Sequence, residues 1–417
     1  MDNSVVISAG KKFDVSNSVA HEDHDAYPNV LLFAEGVAVF NEQMELLPLI
    51  SDFLTEYRRN HSDQSVKTYA NNLRYLVEYL TTNDDNHIAS ERDECLLEVH
   101  ANEIQRYFNY CRSDKNKDGK DKPSIGGRTI ANRDATYSRF FSEFLCNPPA
   151  GYKLLRQENP YENGSLTVGA KESFIKPALF ADIEALIRVA NHEREKCLIQ
   201  FLYDSGLRRQ EVENIRQETI SQLSRVARKS IIEDDETLRI SSEYVEMGIK
   251  GNKGRGRAFK FRNTIVSKET INRVQRYHSS LEYKRLKRKW GKTPVPAFLN
   301  QNGDPYTARA VSRVVSKLSK RALKLGLIKA TLSPHKIRHG FAAMVLNSED
   351  LGNSQLDRLL IVQQCLGHKS LNTTQEYTKI PVEVWDKFVD RNGVTLKRYQ
   401  LMKKLKDRTR AKKGSTK

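Results

Sequence analysis

Through most of this chain the apolar side chains return every three or four residues, a spacing that only an α-helix gathers onto one face. Leu47, Ile50, Phe53, Leu54 and Tyr57 make one such stripe, and Tyr69, Leu73, Leu76, Val77 and Leu80 make the next, with Ser62 and Ser65 as candidate N-caps. Ile104, Tyr107, Phe108 and Cys111 form a third, residues 129–145 carry a fourth, and the Lys-, Asp- and Gly-rich stretch 113–127 reads as a loop between them. The spacing predicts a small helical bundle over 45–158. Its basic residues Lys67, Arg74, Arg106, Arg128, Arg133 and Arg139 are expected on polar faces, where they either track phosphates or are simply solvated.

Residues 159–177 hold Pro160, Pro177, Gly164 and Gly169 and few large apolar side chains, so they read as an interdomain linker. A second domain over 178–396 opens with helical runs at 181–190 and 193–203, passes through strand-like runs at 237–244 and 257–261, and returns to helix from Lys268. The expected fold class is mostly α with a small antiparallel β-sheet. Residues 1–44 combine the acidic run His21-Glu22-Asp23-His24-Asp25 with an apolar stretch at 30–40, and read as an N-terminal extension forming an extended segment or hairpin.

The 417 residues carry 69 Lys plus Arg against 52 Asp plus Glu, a formal charge of +17, while 38% hydrophobic and 8% aromatic residues suffice for ordinary cores. The excess charge therefore sits on a folded protein. Residues 397–417 hold ten Lys or Arg and one Asp, so they read as a basic C-terminal tail supplying +9 of the total. A polyanion is the leading partner expectation, against a merely solubilising terminus. The longest nearly apolar run, 30–40, is too short to span a bilayer and is interrupted by Glu35 and Gly36, so no membrane role is expected. The start, Met1-Asp2-Asn3, lacks the basic and apolar regions of a secretory signal. Five cysteines lie far apart with no Cys-x-x-Cys pair, which points to neither a disulfide framework nor a thiolate zinc site and to a reducing, cytoplasmic setting.

Four clusters in the second half carry chemistry. In Asp204-Ser205-Gly206-Leu207-Arg208-Arg209-Gln210-Glu211, Gly206 allows a break between helices and puts Arg208 at the junction; a surface arginine paired with Glu211 or Glu213 fits the same residues. Ile249-Lys250-Gly251-Asn252-Lys253-Gly254-Arg255-Gly256-Arg257 reads as a basic hairpin turn. It approaches a phosphate-binding loop, but Arg257 and Ala258 stand where the lysine and hydroxyl would be, which excludes ATP binding. In Ser333-Pro334-His335-Lys336-Ile337-Arg338-His339, Ser333 and Pro334 begin a helix with His335 and Arg338 on one face. His335 and His339 are four apart, as in a zinc helix, but Lys336 replaces the catalytic Glu and its charge disfavours a cation. In Leu366-Gly367-His368-Lys369-Ser370, Gly367 ends a helix and Ser370 or Asn372 caps the next, which carries Tyr377 in its early turns as either a core residue or a nucleophile.

Taken together, two arginines, a lysine, two histidines and a tyrosine suit the breakage of a phosphodiester without a metal. A tyrosine hydroxyl, of ordinary pKa about 10, needs activation, and guanidinium forks match the charge that builds on the phosphorus oxygens.

In this order the motifs resemble those of the tyrosine recombinases, the family of phage integrases and Xer-type and Cre-type recombinases: Gly206-Leu207-Arg208, Lys250-Gly251-Asn252-Lys253, His335-x-x-Arg338-His339, Leu366-Gly367-His368, and Tyr377 nine residues later. The resemblance implies that Arg208 and Arg338 clamp the scissile phosphate and that Tyr377 forms a 3′-phosphotyrosyl bond. It further implies that Lys250 is the general acid, with Lys253 competing, that His335 and His368 support phosphate and proton transfer, and that Glu211 orients the site. The 45–158 bundle is similar to the family's core-binding domain, and 178–396 to its α+β catalytic domain. The implied partner is double-stranded DNA with inverted-repeat core sites, bound by a homotetramer on two sites, in a bacterial, nucleoid-associated enzyme with no cofactor and no metal. Lys253, Arg255 and Arg257 are candidate DNA contacts. Two rivals share the inventory or the fold: a type IB topoisomerase, and a non-catalytic DNA-binding regulator.

Departures from the family pattern are extra residues at 224–235 and at 347–356, and a 1–44 segment without the basic character of an accessory DNA-binding arm. Val384, Trp385 and Phe388 form an apolar cluster that packs either on a neighbouring protomer or in its own domain.

Overall fold

The computed structural model describes residues 36–41, 44–82, 92–114, 124–168, 176–229, 243–251, 260–291, 293–368, 370–375, 377 and 397–409, and the backbone of three short strands before them. The chain divides into two units between residues 172 and 173, each with its own buried core.

The first unit starts with paired strands. β1 (Val5–Ser8) runs antiparallel to β4 (Gly36–Val39), and β2 (Lys12–Phe13) to β3 (Leu32–Phe33). Val37 and Val39 are buried with Leu47, Ile50, Phe53 and Leu54, so this ribbon is built into the first core. The predicted helices follow: α1 (Pro48–Arg58), α2 (Asp63–Thr81), the single turn α3 (Cys95–Glu98), α4 (Ala101–Arg112) and α5 (Gly127–Phe140), which runs on into a π turn at Phe141–Leu145. Ser62 caps α2, its hydroxyl accepting from the Ser65 amide at 3.2 Å. Phe53 meets Phe140 and Phe144 edge to face within the core of this bundle.

Two expectations for this part are corrected. Arg133 is not on a polar face: it is 9% exposed, donates to Tyr107 Oη at 2.5 Å, and lies over the Tyr75 ring. Aromatic faces satisfy its charge where water cannot. The linker does not begin at 159 either, because Tyr161 is buried against Phe141 and the Asp134 carboxylate accepts from the Thr167 amide at 2.9 Å. A large aromatic at 161 is stabilised by burial, and it draws its neighbours into the first unit.

In the second unit α6 (Phe180–Val189), α7 (Glu193–Ser205) and α8 (Gln217–Lys229) precede a hairpin of β5 (Tyr244–Gly251) and β6 (Lys260–Ser267), paired antiparallel from Tyr244↔Ser267 to Gly251↔Lys260. Then come α9 (Lys268–Ser279), α10 (Leu281–Lys287), α11 (Ala308–Lys324), α12 (Pro334–Leu346), α13 (Gln355–Leu366), α14 (Leu371–Gln375) and α15 (Arg398–Arg408). The strands are shifted from the expected 237–244 and 257–261. Tyr244, Val245, Met247 and Ile249 are buried while Glu246, Gly248 and Lys250 are exposed, and this period of two extends β5 into what read as the turn. Of the extra residues at 224–235, 224–229 continue α8 and the rest lie outside the described residues.

The basic tail is the largest correction. Its first half is α15, with Leu401, Met402 and Leu405 in the second core. Arg398 and Asp204, both fully buried, form an ion pair at 2.9 Å. The extra residues at 347–356 serve the same joint: Ser348 Oγ accepts from the Arg398 amide at 2.8 Å, and Tyr244 Oη accepts from the Tyr399 amide while donating to Asp350. Charge alone suggests a solvated tail; the apolar spacing 401, 402, 405 overrides it. Val384, Trp385 and Phe388 lie outside the described residues. Among the described residues no helix is long and apolar enough to cross a membrane.

Candidate active site

Glycine geometry sets two corners of the site. Gly206 ends α7 at φ 60°, and a Cβ there would lie 2.5 Å from the Phe341 ring, so neither the left-handed turn nor the space tolerates a side chain. The chain reverses and presents Arg208. Gly367 ends α13 in the same way at φ 61°, with the Arg262 side chain 2.8 Å from where its Cβ would be, and this turn presents His368. The third wall is α12, whose start is fixed by Ser333 capping the Lys336 amide at 3.3 Å with Pro334 in the first turn.

Arginines from two of these walls converge on one oxygen. Arg208 Nη2 and Arg338 Nη2 both donate to the Leu366 carbonyl, at 2.9 and 2.5 Å, and Arg338 Nη1 donates to the Gly206 carbonyl at 2.5 Å. Arg208 keeps 34% of its side chain exposed, whereas Arg338 is 4% exposed. Burial and the like charges of Arg208 and Arg262 lower the Arg338 guanidinium to about 9. Unfavourable positive charge of this kind is relieved by an anion.

Glu211 orders the cluster from behind. It is 1% exposed and accepts from the Arg208 amide at 2.7 Å and from Arg208 Nη1 at 3.1 Å. Arg262 Nη2 and Nε reach the same carboxylate at 2.6 and 3.3 Å. Burial pushes the Glu211 carboxyl up, but the Arg262 hydrogen bonds and charge, the Arg208 amide and the Arg338 charge outweigh it and hold it below the usual carboxylate range.

Tyr377 stands two residues beyond α14 rather than in its early turns, and it is 3% exposed. Its Oη shares a 2.9 Å hydrogen bond with His339 Nδ1, and its ring stacks at 11° on His368, 6.1 Å between centroids. His335 meets His339 edge to face at 4.1 Å. Burial raises the phenol to about 12 against the opposing pull of Arg338 and Arg208. Burial followed by neighbouring positive charge lowers His339 and His368 to about 4 and pulls His335 down, so the three imidazoles are neutral at neutral pH. His368 is oriented by Thr374, whose Oγ1 lies 3.0 Å from its Nδ1.

Of the residues expected from sequence, Arg208, Glu211, His335, Arg338, His368 and Tyr377 are thus joined in one cluster. Lys250 lies on the exposed face of β5, where its carbonyl accepts from Asn214. Lys253, Arg255 and Arg257 lie outside the described residues. Sequence reasoning misses two members. His339 enters it as a motif position and a possible metal ligand, with no role beside the tyrosine. Arg262 is detectable from an inverted pattern on β6, because Phe261 is 78% exposed while the Arg262 side chain is only 7% exposed. An aromatic facing water beside an inward-facing charge marks a strand whose inner face serves a site.

Neutral imidazoles and two guanidiniums that converge on one oxygen surround a buried tyrosine, on a helical domain with one antiparallel hairpin. Residues 179–383 match the phage integrase family, so the second unit carries a domain of that family, the tyrosine recombinases. It is 24% identical over 338 residues to tyrosine recombinase XerC of Thermodesulfovibrio yellowstonii, covering 75% of this chain and 96% of that protein. With tyrosine recombinase XerC of Syntrophus aciditrophicus it is 27% identical over 261 residues, 61% and 70% of the two chains. The fold is shared with the Tn1549 transposon integrase in complex with a circular intermediate DNA (TM-score 0.52, 15% identity, 83% and 96% covered) and with the XerH site-specific recombinase bound to a palindromic difH substrate (TM-score 0.51, 16% identity, 77% of each chain).

Proposed function

We propose that this chain is a site-specific DNA recombinase that cleaves and rejoins DNA through a 3′-phosphotyrosyl intermediate, and so integrates, excises or resolves DNA. The observation that carries the reading is the convergence of Arg208 and Arg338 on a single oxygen in the same cluster as the buried Tyr377 hydroxyl. The Leu366 carbonyl holds the two forks in the pose that a non-bridging phosphate oxygen would take over. In our reading Tyr377 Oη attacks phosphorus as its proton leaves, the bond to the 5′ oxygen breaks, and Lys250, or Lys253 in its place, protonates that oxygen. Arg208 and Arg338 stabilise the charge on the phosphorane, which preorganised donors do better than water. His335 and His368 hydrogen-bond the phosphate and assist proton transfer. The energy of the broken bond is kept in the phosphotyrosyl ester, so rejoining needs no nucleotide.

The partner is double-stranded DNA. We further propose that the target carries inverted-repeat core sites and that four protomers act on two such sites. Incubating wild type and Tyr377→Phe with supercoiled and nicked DNA carrying the sequences that flank its gene, without magnesium, and running denaturing gels tests the chemistry. A covalent adduct that depends on Tyr377 is expected, and strand exchange between two sites separates recombinase from topoisomerase. DNA binding without any adduct, nicked substrates included, would favour a non-catalytic regulator instead.

A further inference from the structure

We propose that Arg262 is a positioning residue of this site: it takes up the Glu211 carboxylate and ties down the 365–368 turn, leaving the outer edge of Arg208 and the His368 ring free for the phosphate. The inference rests on the recombinase reading and assigns the site a third guanidinium.

Glu211 has two oxygens and four donors. Arg208 supplies its amide and Nη1, and Arg262 supplies Nη2 and Nε, so the carboxylate is shared evenly between the two arginines. The third nitrogen of the Arg262 fork donates to the Cys365 carbonyl, one residue before the Leu366 oxygen that receives Arg208 and Arg338. Gly367 packs directly on the Arg262 stem. One planar group thereby braces both corners of the site, and with its side chain 7% exposed it is not placed to touch DNA itself.

Charge explains why the third arginine is needed. Three guanidiniums face one carboxylate, leaving two net positive charges for an anion. Without Arg262 the buried Glu211 would have Arg208 as its nearest counter-ion. The shortest remedy is for Arg208 to turn both outer nitrogens onto it, away from Leu366 and from a phosphate. The loss would then fall on the chemical step rather than on DNA affinity, because the surfaces that hold the duplex are untouched.

The test compares single-turnover cleavage of a nicked site, DNA Kd and Tm for wild type, Arg262→Lys, Arg262→Gln, Glu211→Gln and the double variant Arg262→Gln/Glu211→Gln. Arg262→Lys keeps the charge but lacks the fork, and the double variant restores charge balance should Arg262→Gln alone fold poorly. We expect Arg262→Lys to cleave at least tenfold more slowly with Kd within about twofold of wild type. The double variant is expected to be no slower than the slower single variant, since both changes act through one carboxylate. Cleavage by Arg262→Lys at the wild-type rate would overturn the inference while leaving the recombinase reading intact. So would losses that multiply in the double variant, or a deficit that tracks Tm and vanishes on cooling. Absence of adduct from the wild type would overturn both.

Discussion

Two buried arginine clusters in the second unit differ in one respect, and the difference separates machinery from architecture. Around Asp204 the charges balance and the joint is closed: Arg398 and Asp204 are both fully buried, the carboxylate also accepts from the Ser267 amide and hydroxyl, and the Tyr244 and Phe341 rings cover the guanidinium. Around Glu211 the charges do not balance. Three arginines stand around one carboxylate, which only Arg208 and Arg262 bond; Arg208 is partly open to water, and three neutral imidazoles stand where further counter-charge could have been. The two carboxylates are seven residues apart, on opposite sides of the Gly206 corner. A fold that closes a balanced pair on one side and leaves surplus charge on the other reserves the second for an anion.

The sharpest contrast is expected between Arg398→Gln and Arg338→Gln. Breaking the closed pair leaves Asp204 buried without its counter-ion, a loss of about 3–5 kcal/mol. Truncation after residue 396 should cost more, because Leu401, Met402 and Leu405 each lose burial worth about 1.5–3 kcal/mol. Arg338→Gln should do the reverse: cleavage falls about 10²–10³-fold, as for loss of one oxyanion donor, while Tm is unchanged or higher. Its charge is disfavoured in the free protein, lowered to about 9 by burial and by Arg208 and Arg262, and removing it relieves that repulsion. Urea unfolding together with single-turnover cleavage checks both. A marked Tm loss in Arg338→Gln, or none in Arg398→Gln, would break the comparison.

A smaller effect is expected from pH. His339, His368 and the buried His278 are lowered to about 4 in the folded chain, against an ordinary value of about 6.5. Between these values the unfolded chain binds more protons, so their contribution is fully present above about pH 6.5 and is lost as pH falls toward 4. His278 differs from the other two in its surroundings, since it contacts the Ala297 carbonyl behind the core rather than the arginines. A bound phosphate supplies counter-charge to His339 and His368 but not to His278. Thermal scans from pH 4.5 to 7.5 should therefore show a steep slope for free protein and a shallower one with DNA, and His278→Gln should leave that difference intact. Equal slopes with and without DNA would remove the imidazoles from the phosphate site.

What the sequence discloses follows from periodicity and from glycine. The bundle helices, the breaks at Gly206 and Gly367, and the start at Ser333-Pro334 are local effects of spacing and backbone freedom, and they carry Arg208, Arg338 and His368 into place. What it conceals depends on distant partners. Arg398 reads as one more charge in a basic run, and only the fold supplies Asp204, 194 residues earlier, to bury it against. Arg262 likewise acquires its meaning from Glu211, 51 residues away. Charge is a poor guide to burial when the counter-ion is remote, and both corrections run in that direction.

The basic residues that follow β5 bear on DNA affinity and on which lysine is the acid. Replacing Lys253, Arg255 and Arg257 with Gln should weaken DNA binding on all sequences and flatten the slope of log K against log salt by about 0.9 for each phosphate that is no longer neutralised. Unchanged affinity and slope would drop these residues from the interface. The acid role separates from binding through the leaving group. If the 5′ oxygen at the scissile bond is replaced by sulfur, the departing thiolate, with a pKa near the cysteine value of about 8.5, needs no proton. Cleavage of that substrate should be restored in whichever of Lys250→Ala and Lys253→Ala has lost the acid, and in neither Arg208→Ala nor Arg338→Ala. Lys250 sits on β5 among eight paired residues, which suits a proton donor of fixed orientation. Rescue of Lys253→Ala alone would show that Lys253, and not Lys250, protonates the leaving oxygen.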